Sequence, residues 1–376
     1  MDKNVFAVDL LWLRVGKNGG SETFIRNVLD GMRETDREFE AVLLVAQDNG
    51  DSFKHYSEDK RFIIHECPID SLNNKKRLAW QNLHLRDTLK KMGIKKCFEP
   101  IYSVPFIRTK GVDFYTVIHD LQAKHFPSYF SKSRRVFMDY SWRNSIRRSK
   151  RIIAISDFAK EDITTHYPSS AKKIIRIYNP ISVREIDEDI CKEAINDLGI
   201  ISNGFFLCIS SLLPHKNLKT IIRMMALRDD DTKLVIVGVG GALETELREM
   251  IEEKGLTHKV QILSYISDEK RDALYKKCSI FLFPSIFEGF GMPPVEAMLM
   301  DKPVITTRCT SIPEVTRGEA IYVDDASNEE EWNDKTNKVL LGKLTPEITQ
   351  RTISSSSNPY SKKKAALQYL DLLSEK

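Results

Sequence analysis

The sequence predicts an α/β protein of two domains, each a Rossmann-like parallel sheet with helices on both faces, facing each other across a cleft. Three observations predict it. Apolar strand-like runs alternate with segments of helical periodicity from the first residues onward. The alternation gives way to a charged, irregular stretch at residues 181–203 and restarts at Phe205. Several strands end in Gly- or Pro-bearing loops that run straight into a helix, which puts ligand-binding loops on the carboxyl edge of an open sheet.

In the first domain, residues 5–9 read as a strand followed by the Gly-rich loop 16–20 and a helix over 22–33, with Phe24, Ile25, Val28, Leu29 and Met32 at helical spacing. Gly19 and Gly20 let a ligand approach the loop backbone, although they do not complete G-x-G-x-x-G; a plain βα turn is the alternative. Residues 41–46 form a continuous apolar run, as in a buried parallel strand. Strands at 61–68 and 95–99 flank a helix at 75–92. Residues 113–120 place His119 and Asp120 at the carboxyl end of a strand, where ligands bind in open sheets. Residues 133–151 carry seven Lys or Arg and one acidic residue, Asp139, with Val136, Phe137, Tyr140, Trp142 and Ile146 between them. This basic helix either faces an anionic lipid surface or acidic acceptor, or is a solvated face with snorkelling Arg stems. A strand at 151–156 ends at Ser156, a helix covers 157–165, and a last strand, 174–178, stops at Asn179-Pro180.

After a connecting helix near 190–198, the second domain runs strand 205–210, loop 211–215, helix 216–227, strand 233–237, helix 243–254 and strand 260–263. Gly238, Gly240 and Gly241 invite a dinucleotide reading. The pattern fails at Leu243, and no acidic residue follows for a ribose, so a tight strand-to-helix turn is expected. Asp229, Asp230 and Asp231 lie between a helix end and a strand start, which predicts a solvated turn and no metal. In the loop 210–217, Lys216 opens a helix against the dipole, a placement that an anion would offset.

The most informative stretch is 283–298, FPSIFEGFGMPPVEAM. An apolar strand runs into a loop with Glu288, Gly289, Phe290 and Gly291, then Met292 and a helix starting near Pro293 that carries Glu296. Eight residues on one helix would separate the glutamates by about 12 Å of rise, too far to act together on one atom. They suit different parts of one extended ligand, a nucleotide with a group beyond its phosphates. Together with the turn at Lys216, two helix starts and one lysine can converge on a diphosphate. The alternative is an ordinary crossover with two unremarkable glutamates.

Composition sets the class. With 376 residues, 41% hydrophobic and 29% charged, the chain fits a globular protein of two domains. A net charge of +4 is too small to argue for nucleic acid. Six cysteines without a C-x-x-C pair read as free buried thiols in a reducing compartment. The N-terminus reads as a first strand, not a signal peptide, and no run approaches the roughly 18 apolar residues that span a bilayer. A cytoplasmic location is expected, with peripheral contact at the inner face of the membrane through 133–151.

Gly16 to Gly20, His119 in TVIHD, Ser156 in AISDF, Asn179-Pro180, Pro214-His215-Lys216-Asn217, Glu288 with Glu296, Ser311-Ile312-Pro313-Glu314 and residues 320–324 together resemble the retaining glycosyltransferases of family 4, which have the GT-B fold. The resemblance covers essentially the whole chain, and Pro214-His215-Lys216-Asn217 and Asn179-Pro180 resemble bacterial mannosyltransferases of polysaccharide assembly. It implies a first domain, 1–182, that binds acceptor and is joined by a terminal helix, 358–376, and a second domain, 183–357, that binds donor. It implies metal-independent transfer of a hexose, with mannose favoured, from a nucleotide-sugar donor, GDP-hexose ahead of UDP-hexose, to a saccharide or lipid-linked saccharide, with retention and no further cofactor. By resemblance Lys216 holds the diphosphate, Glu296 the ribose, and Glu288 with the Gly289, Phe290 and Gly291 amides the sugar hydroxyls, with Met292 next to them. Ile266 lies near the base, and His119 near the sugar and acceptor; His119, Lys216 and Glu288 are the expected catalytic set, and Gly19 and Gly20 line the donor. Ser211 and His215 stand where the family often has Arg. A titrating His215 would make phosphate binding pH-sensitive. Tyr360 stands where a Trp is common.

Two other readings stay open on the residues alone. A sugar-nucleotide epimerase on the same fold needs an acid and a base around one carbon, for which His119 is one candidate. A non-catalytic basic binding protein would rest on 133–151. Hydride transfer is disfavoured by the broken glycine pattern.

Overall fold

The computed structural model describes residues 4–200, 204–238, 241, 243–264, 266–345, 352–354 and 357–375. It divides into two compact units, one reaching Pro180 and resuming at Tyr360, the other covering Ile181–Pro359.

The first unit contains β1 (Asn4–Asp9), α1 (Gly20–Arg33), β2 (Phe39–Ala46), β3 (Phe62–Cys67), α2 (Asn74–Leu83), α3 (Leu85–Lys91), β4 (Lys96–Glu99), β5 (Asp113–Ile118), α4 (Gln122–His125), α5 (Lys132–Arg148), β6 (Ser149–Ala154), α6 (Asp157–His166) and β7 (Ile174–Arg176). Its seven strands lie in the order β3-β2-β1-β4-β5-β6-β7, all parallel. β1 is the central strand at which the order reverses, and Phe6, Ala7 and Val8 are fully buried, as a strand covered on both faces requires. The helix expected at 75–92 is two helices, broken at His84. The break changes the buried side: the first helix buries Gln81, which donates to Asp9 (2.5 Å), and the second buries Leu85 and Leu89.

The second unit contains α7 (Glu188–Asp197), β8 (Phe205–Ile209), a 3₁₀ turn (Pro214–Lys216), α8 (Leu218–Ala226), β9 (Lys233–Val237), α9 (Glu244–Glu253), β10 (Val260–Leu263), α10 (Asp268–Lys277), β11 (Ile280–Phe283), α11 (Met292–Leu299), β12 (Val304–Thr307), α12 (Ile312–Val315), β13 (Ile321–Val323) and α13 (Glu329–Leu340). The six parallel strands run β10-β9-β8-β11-β12-β13. Phe206, Cys208, Ile236, Leu282 and Ile305 meet Ile221, Leu247 and Trp332 in its core. The last helix, α14 (Lys362–Ser374), returns to the first unit, where it packs on α1 and Arg37 pairs with Asp371 (2.9 Å).

Three local readings take physical form here. Gly241 sits so close to the loop below that a Cβ would lie 2.0 Å from the Leu212 carbonyl oxygen, and one at Gly238 would lie 2.5 Å from that of Ser210. These glycines make room for the loop 210–213 against β9; Val239, Gly240 and Ala242, like Tyr265, lie outside the described residues. Asp229 and Asp231 are exposed, and Asp230 pairs with Arg228. All six cysteines are free; five are buried and Cys309 is half-buried.

Candidate active site

In the second unit the strand order reverses between β8 and β11, so the loops after these two strands leave the same edge of the sheet side by side. The first loop carries Ser211, His215 and Lys216; the second carries Glu288, Gly289, Phe290 and Gly291. Backbone and hydroxyl groups stitch the loops together. The His215 carbonyl accepts from the Ile286 amide (2.9 Å) and the Ser285 hydroxyl (3.3 Å).

The Lys216 ammonium meets a Glu288 carboxylate oxygen at 2.6 Å, with side chains only 14% and 11% exposed. The expectation that Lys216 opens a helix is corrected: it ends the 3₁₀ turn, and α8 begins at Leu218. Asn217 separates the two, in the left-handed conformation (φ 53°) that Asn tolerates, with its amide donating to the Ala326 carbonyl (2.7 Å). Glu288, not the helix dipole, is what the lysine answers to.

Behind Glu288, residues of the loop after β12 hold the second loop in place. The Thr310 hydroxyl accepts from the Glu288 amide (2.9 Å), and the buried Ser311 hydroxyl lies 3.0 Å from the Glu288 carbonyl and 2.8 Å from that of Phe290. Gly291 caps α11 at φ 90°, where a side chain would be strained and a Cβ would come within 2.6 Å of Ile312. Pro293 and Pro294 occupy the first turn of α11 and carry no N–H, so two of the four amides that a helix start usually leaves free are missing. The donors at this end are backbone groups at Gly291 and Met292.

Glu296 lies one turn into α11 and is buried, its carboxylate accepting from the Tyr275 hydroxyl (2.7 Å). Burial raises its pKa, opposed by the Arg271 guanidinium. Tyr275 and Arg271 come from α10, as does buried Asp272, which pairs with Arg271 (2.7 Å). Sequence reasoning missed this helix and these residues; the capping signal at Ser267, whose hydroxyl accepts from the Lys270 amide, was the one available. Ile266 is half-buried after β10, two strands from β8.

His215 does not supply a replacement cation. It is buried, and burial with the adjacent Lys216 charge pushes its pKa down to about 3. With no anion beside it, this imidazole is neutral near pH 7 and is not the titrating cation expected there. Its titration reports on folding instead. An unfolded histidine takes a proton near pH 6.5 that the folded one refuses until about 3, so its contribution to stability is complete above 6.5 and is lost as pH falls through that window. At pH 5 the loss is about 2 kcal/mol. Calorimetry of wild type and His215→Gln at pH 7 and pH 5 should show wild type falling further by about that amount; a constant difference would contradict the assignment.

In the first unit, His119 follows β5 with its Nε2 2.8 Å from the Pro100 carbonyl oxygen. A carbonyl only accepts, so Nε2 carries the proton. Burial lowers the pKa, which leaves a neutral ring with Nδ1 as an acceptor. Gly19 caps α1 at φ 49° and, like Gly20, is exposed. The structure thus brings Ser211, His215, Lys216, Glu288, Gly289, Phe290, Gly291, Met292 and Glu296 to one unit's loop edge or the helix that leaves it, while His119, Gly19 and Gly20 belong to the other unit.

Known proteins place these features in context. Residues 18–185 match the model for Glycosyltransferase Family 4, and residues 193–356 the model for Glycosyl transferases group 1. The chain is 28% identical over 231 residues to the O-antigen chain mannosyltransferase RfbU of Salmonella typhimurium, spanning 61% of each protein. It is 33% identical over 147 residues, 39% of this chain and 38% of the relative, to an N-acetylgalactosamine-N,N'-diacetylbacillosaminyl-diphospho-undecaprenol 4-alpha-N-acetylgalactosaminyltransferase of Campylobacter jejuni. The chain therefore aligns with less than two thirds of either relative. Among solved structures, Anabaena Alr3699/HepE in complex with UDP-glucose superposes with a TM-score of 0.72 at 19% identity, covering 98% of this chain and 99% of that one. That likeness is one of fold, and the fold is GT-B.

Proposed function

We propose that this chain, which belongs to the glycosyltransferases with a family 4 domain followed by a group 1 domain, moves a hexose from a nucleotide-sugar donor to a saccharide or lipid-linked saccharide acceptor, retaining anomeric configuration and needing no metal. The observation that carries the reading is the Lys216–Glu288 pair at the point where the second sheet's strand order reverses. An ammonium and a carboxylate 2.6 Å apart present one group to phosphate and one to sugar hydroxyls.

A leaving nucleoside diphosphate gains charge as the glycosidic bond breaks. Lys216 and the amides at Gly291 and Met292 are the groups assigned to meet that charge, already oriented before the reaction. Glu288, held by Thr310 and with its backbone carbonyl bonded to Ser311, is assigned to the sugar hydroxyls, and Glu296, set by Tyr275, to the ribose. Ile266 is assigned to the base; two strand spacings of about 4.8 Å separate β10 from β8, which suits an extended nucleotide. His119, as a neutral ring accepting at Nδ1, is assigned to a hydroxyl of sugar or acceptor. Gly19 and Gly20 remain assigned to the donor. We take the donor as a GDP-hexose, with mannose favoured, on the strength of the mannosyltransferase relative. Incubation with GDP-mannose or UDP-glucose, with released nucleotide and the anomeric configuration of the product read by NMR, tests this. Consumption of neither sugar nucleotide would remove the reading, and an inverted product would remove retention.

Peripheral membrane contact is assigned to α5. Its buried side holds Trp142 and Ile146, while Val136 (71%), Phe137 (45%) and Tyr140 (54%) are exposed, with Ile107 (54%) nearby in the chain beside Phe106, which packs on Tyr140. Arg143 and Arg147 continue the exposed side. Apolar side chains among cations suit an anionic lipid surface. Among the described residues no helix is long and apolar enough to cross a membrane. Sedimentation with vesicles should show binding to anionic but not neutral lipid, weakened several-fold in Phe137→Ser; equal partitioning of both proteins would contradict it.

A further inference from the structure

We propose that His125, Asp162 and His166 form a binding site for a divalent transition-metal ion, Zn²⁺ by the chemistry of its donors. Asp162 and His166 lie four residues apart on one face of α6, and His125 ends α4, the short helix that follows His119. His125 Nε2 is 2.9 Å from Asp162 Oδ1, and His166 Nδ1 is 3.1 Å from the same oxygen and 3.0 Å from the Asp162 carbonyl, so both rings donate here and an ion would take the place of their two protons, with His166 turning off its carbonyl; one ligand atom from each residue falls within 4.8 Å of the others. Ligands at about 2.1 Å around a tetrahedral Zn²⁺ stand about 3.4 Å apart, so a shift of a few tenths of an ångström opens the two short contacts to fit an ion. Among the described residues this is the one group of His, Cys, Asp or Glu so arranged.

The surroundings favour a cation. The Asp162 side chain is 7% exposed and accepts from both rings, so two imidazoles are held facing one buried carboxylate oxygen. The two imidazoles are about a third exposed, which leaves the solvent side open for water to complete the coordination. Lys124, next to His125, is turned to Asp139, which it shares with Arg143. Two imidazoles with one carboxylate suit Zn²⁺, Ni²⁺ or Cu²⁺ better than Mg²⁺ or Ca²⁺. A bound ion would tie the segment after His119 to α6 within the first unit.

The test uses untagged full-length protein stripped with chelator and titrated with Co²⁺, following the visible d–d absorption, then Zn²⁺ in competition and by calorimetry. One equivalent should bind, Zn²⁺ should displace Co²⁺, and His125→Ala and His166→Ala, each checked for fold by circular dichroism, should weaken binding at least about tenfold. His166→Gln, which keeps the side-chain volume closer, should behave the same. Absence of saturable binding at one equivalent, or a titration unchanged in the histidine variants, would overturn the site.

Discussion

Replacing Lys216 with alanine is expected to lower turnover about a hundredfold to a thousandfold, the usual consequence of removing one oriented group that stabilises charge in the transition state. Lys216 reaches its position because the chain leaves β8 through a 3₁₀ turn and is redirected by Asn217, and because Glu288 holds the ammonium from the neighbouring loop. Without the lysine, the Glu288 carboxylate, 11% exposed, has lost its cation, so the variant should also melt somewhat lower. The activity loss should exceed anything the stability loss explains. Lys216→Arg, which keeps the charge but not the point geometry, should recover part of the rate. Steady-state kinetics alongside circular dichroism separates these effects. Near-normal kcat in a folded Lys216→Ala protein would contradict the assignment.

Gly31→Ala should destabilise the first unit by about 2–3 kcal/mol, against the usual sign for a helix interior, where alanine is favoured over glycine by about 1 kcal/mol. Gly31 lies in α1 where α14 crosses it, and a Cβ would stand 2.3 Å from the Lys362 carbonyl oxygen and 2.5 Å from its carbon. These are backbone atoms at the first turn of α14, so relief requires moving the helix, with its Lys362–Glu34 pair (3.1 Å) and the buried Tyr369 and Leu373. A melting scan should show the loss, and limited proteolysis should release the C-terminal helix sooner. Unchanged or raised stability would mean that the contact is not tight in solution.

Much of the fold was legible because the central strands are buried on both faces and read as unbroken apolar runs, as in Ala41 to Ala46 or Ile280 to Phe283. What escaped lacks such a signal. α10 is mostly charged, and its buried side chains, Asp272, Ala273, Leu274 and Tyr275, are consecutive, with Asp272 and Tyr275 accommodated by Arg271 and Glu296, so no apolar stripe of helical spacing marks it. The start of α8 was misplaced because Asn217 adopts a left-handed conformation that local propensity does not announce. At the candidate site, each loop was visible from its own strand, glycines and prolines. Their pairing depends on strand order, which brings positions 216 and 288 to 2.6 Å across 72 residues of chain. The neutrality of His215 depends on burial, and the part played by Thr310 and Ser311 on tertiary packing; neither leaves a trace in spacing.

The second unit's loop edge is expected to bind a nucleoside diphosphate without a metal. The most direct measurement is the shift in melting temperature of the wild-type chain with GDP and with UDP, each with and without EDTA, repeated on Lys216→Ala. A ligand at a hundred times its dissociation constant adds about 2.7 kcal/mol to stability, a clear shift. GDP should raise the melting temperature equally with and without EDTA, and the shift should collapse in Lys216→Ala. No shift with either nucleotide, a shift abolished by EDTA, or one undiminished in Lys216→Ala would contradict it.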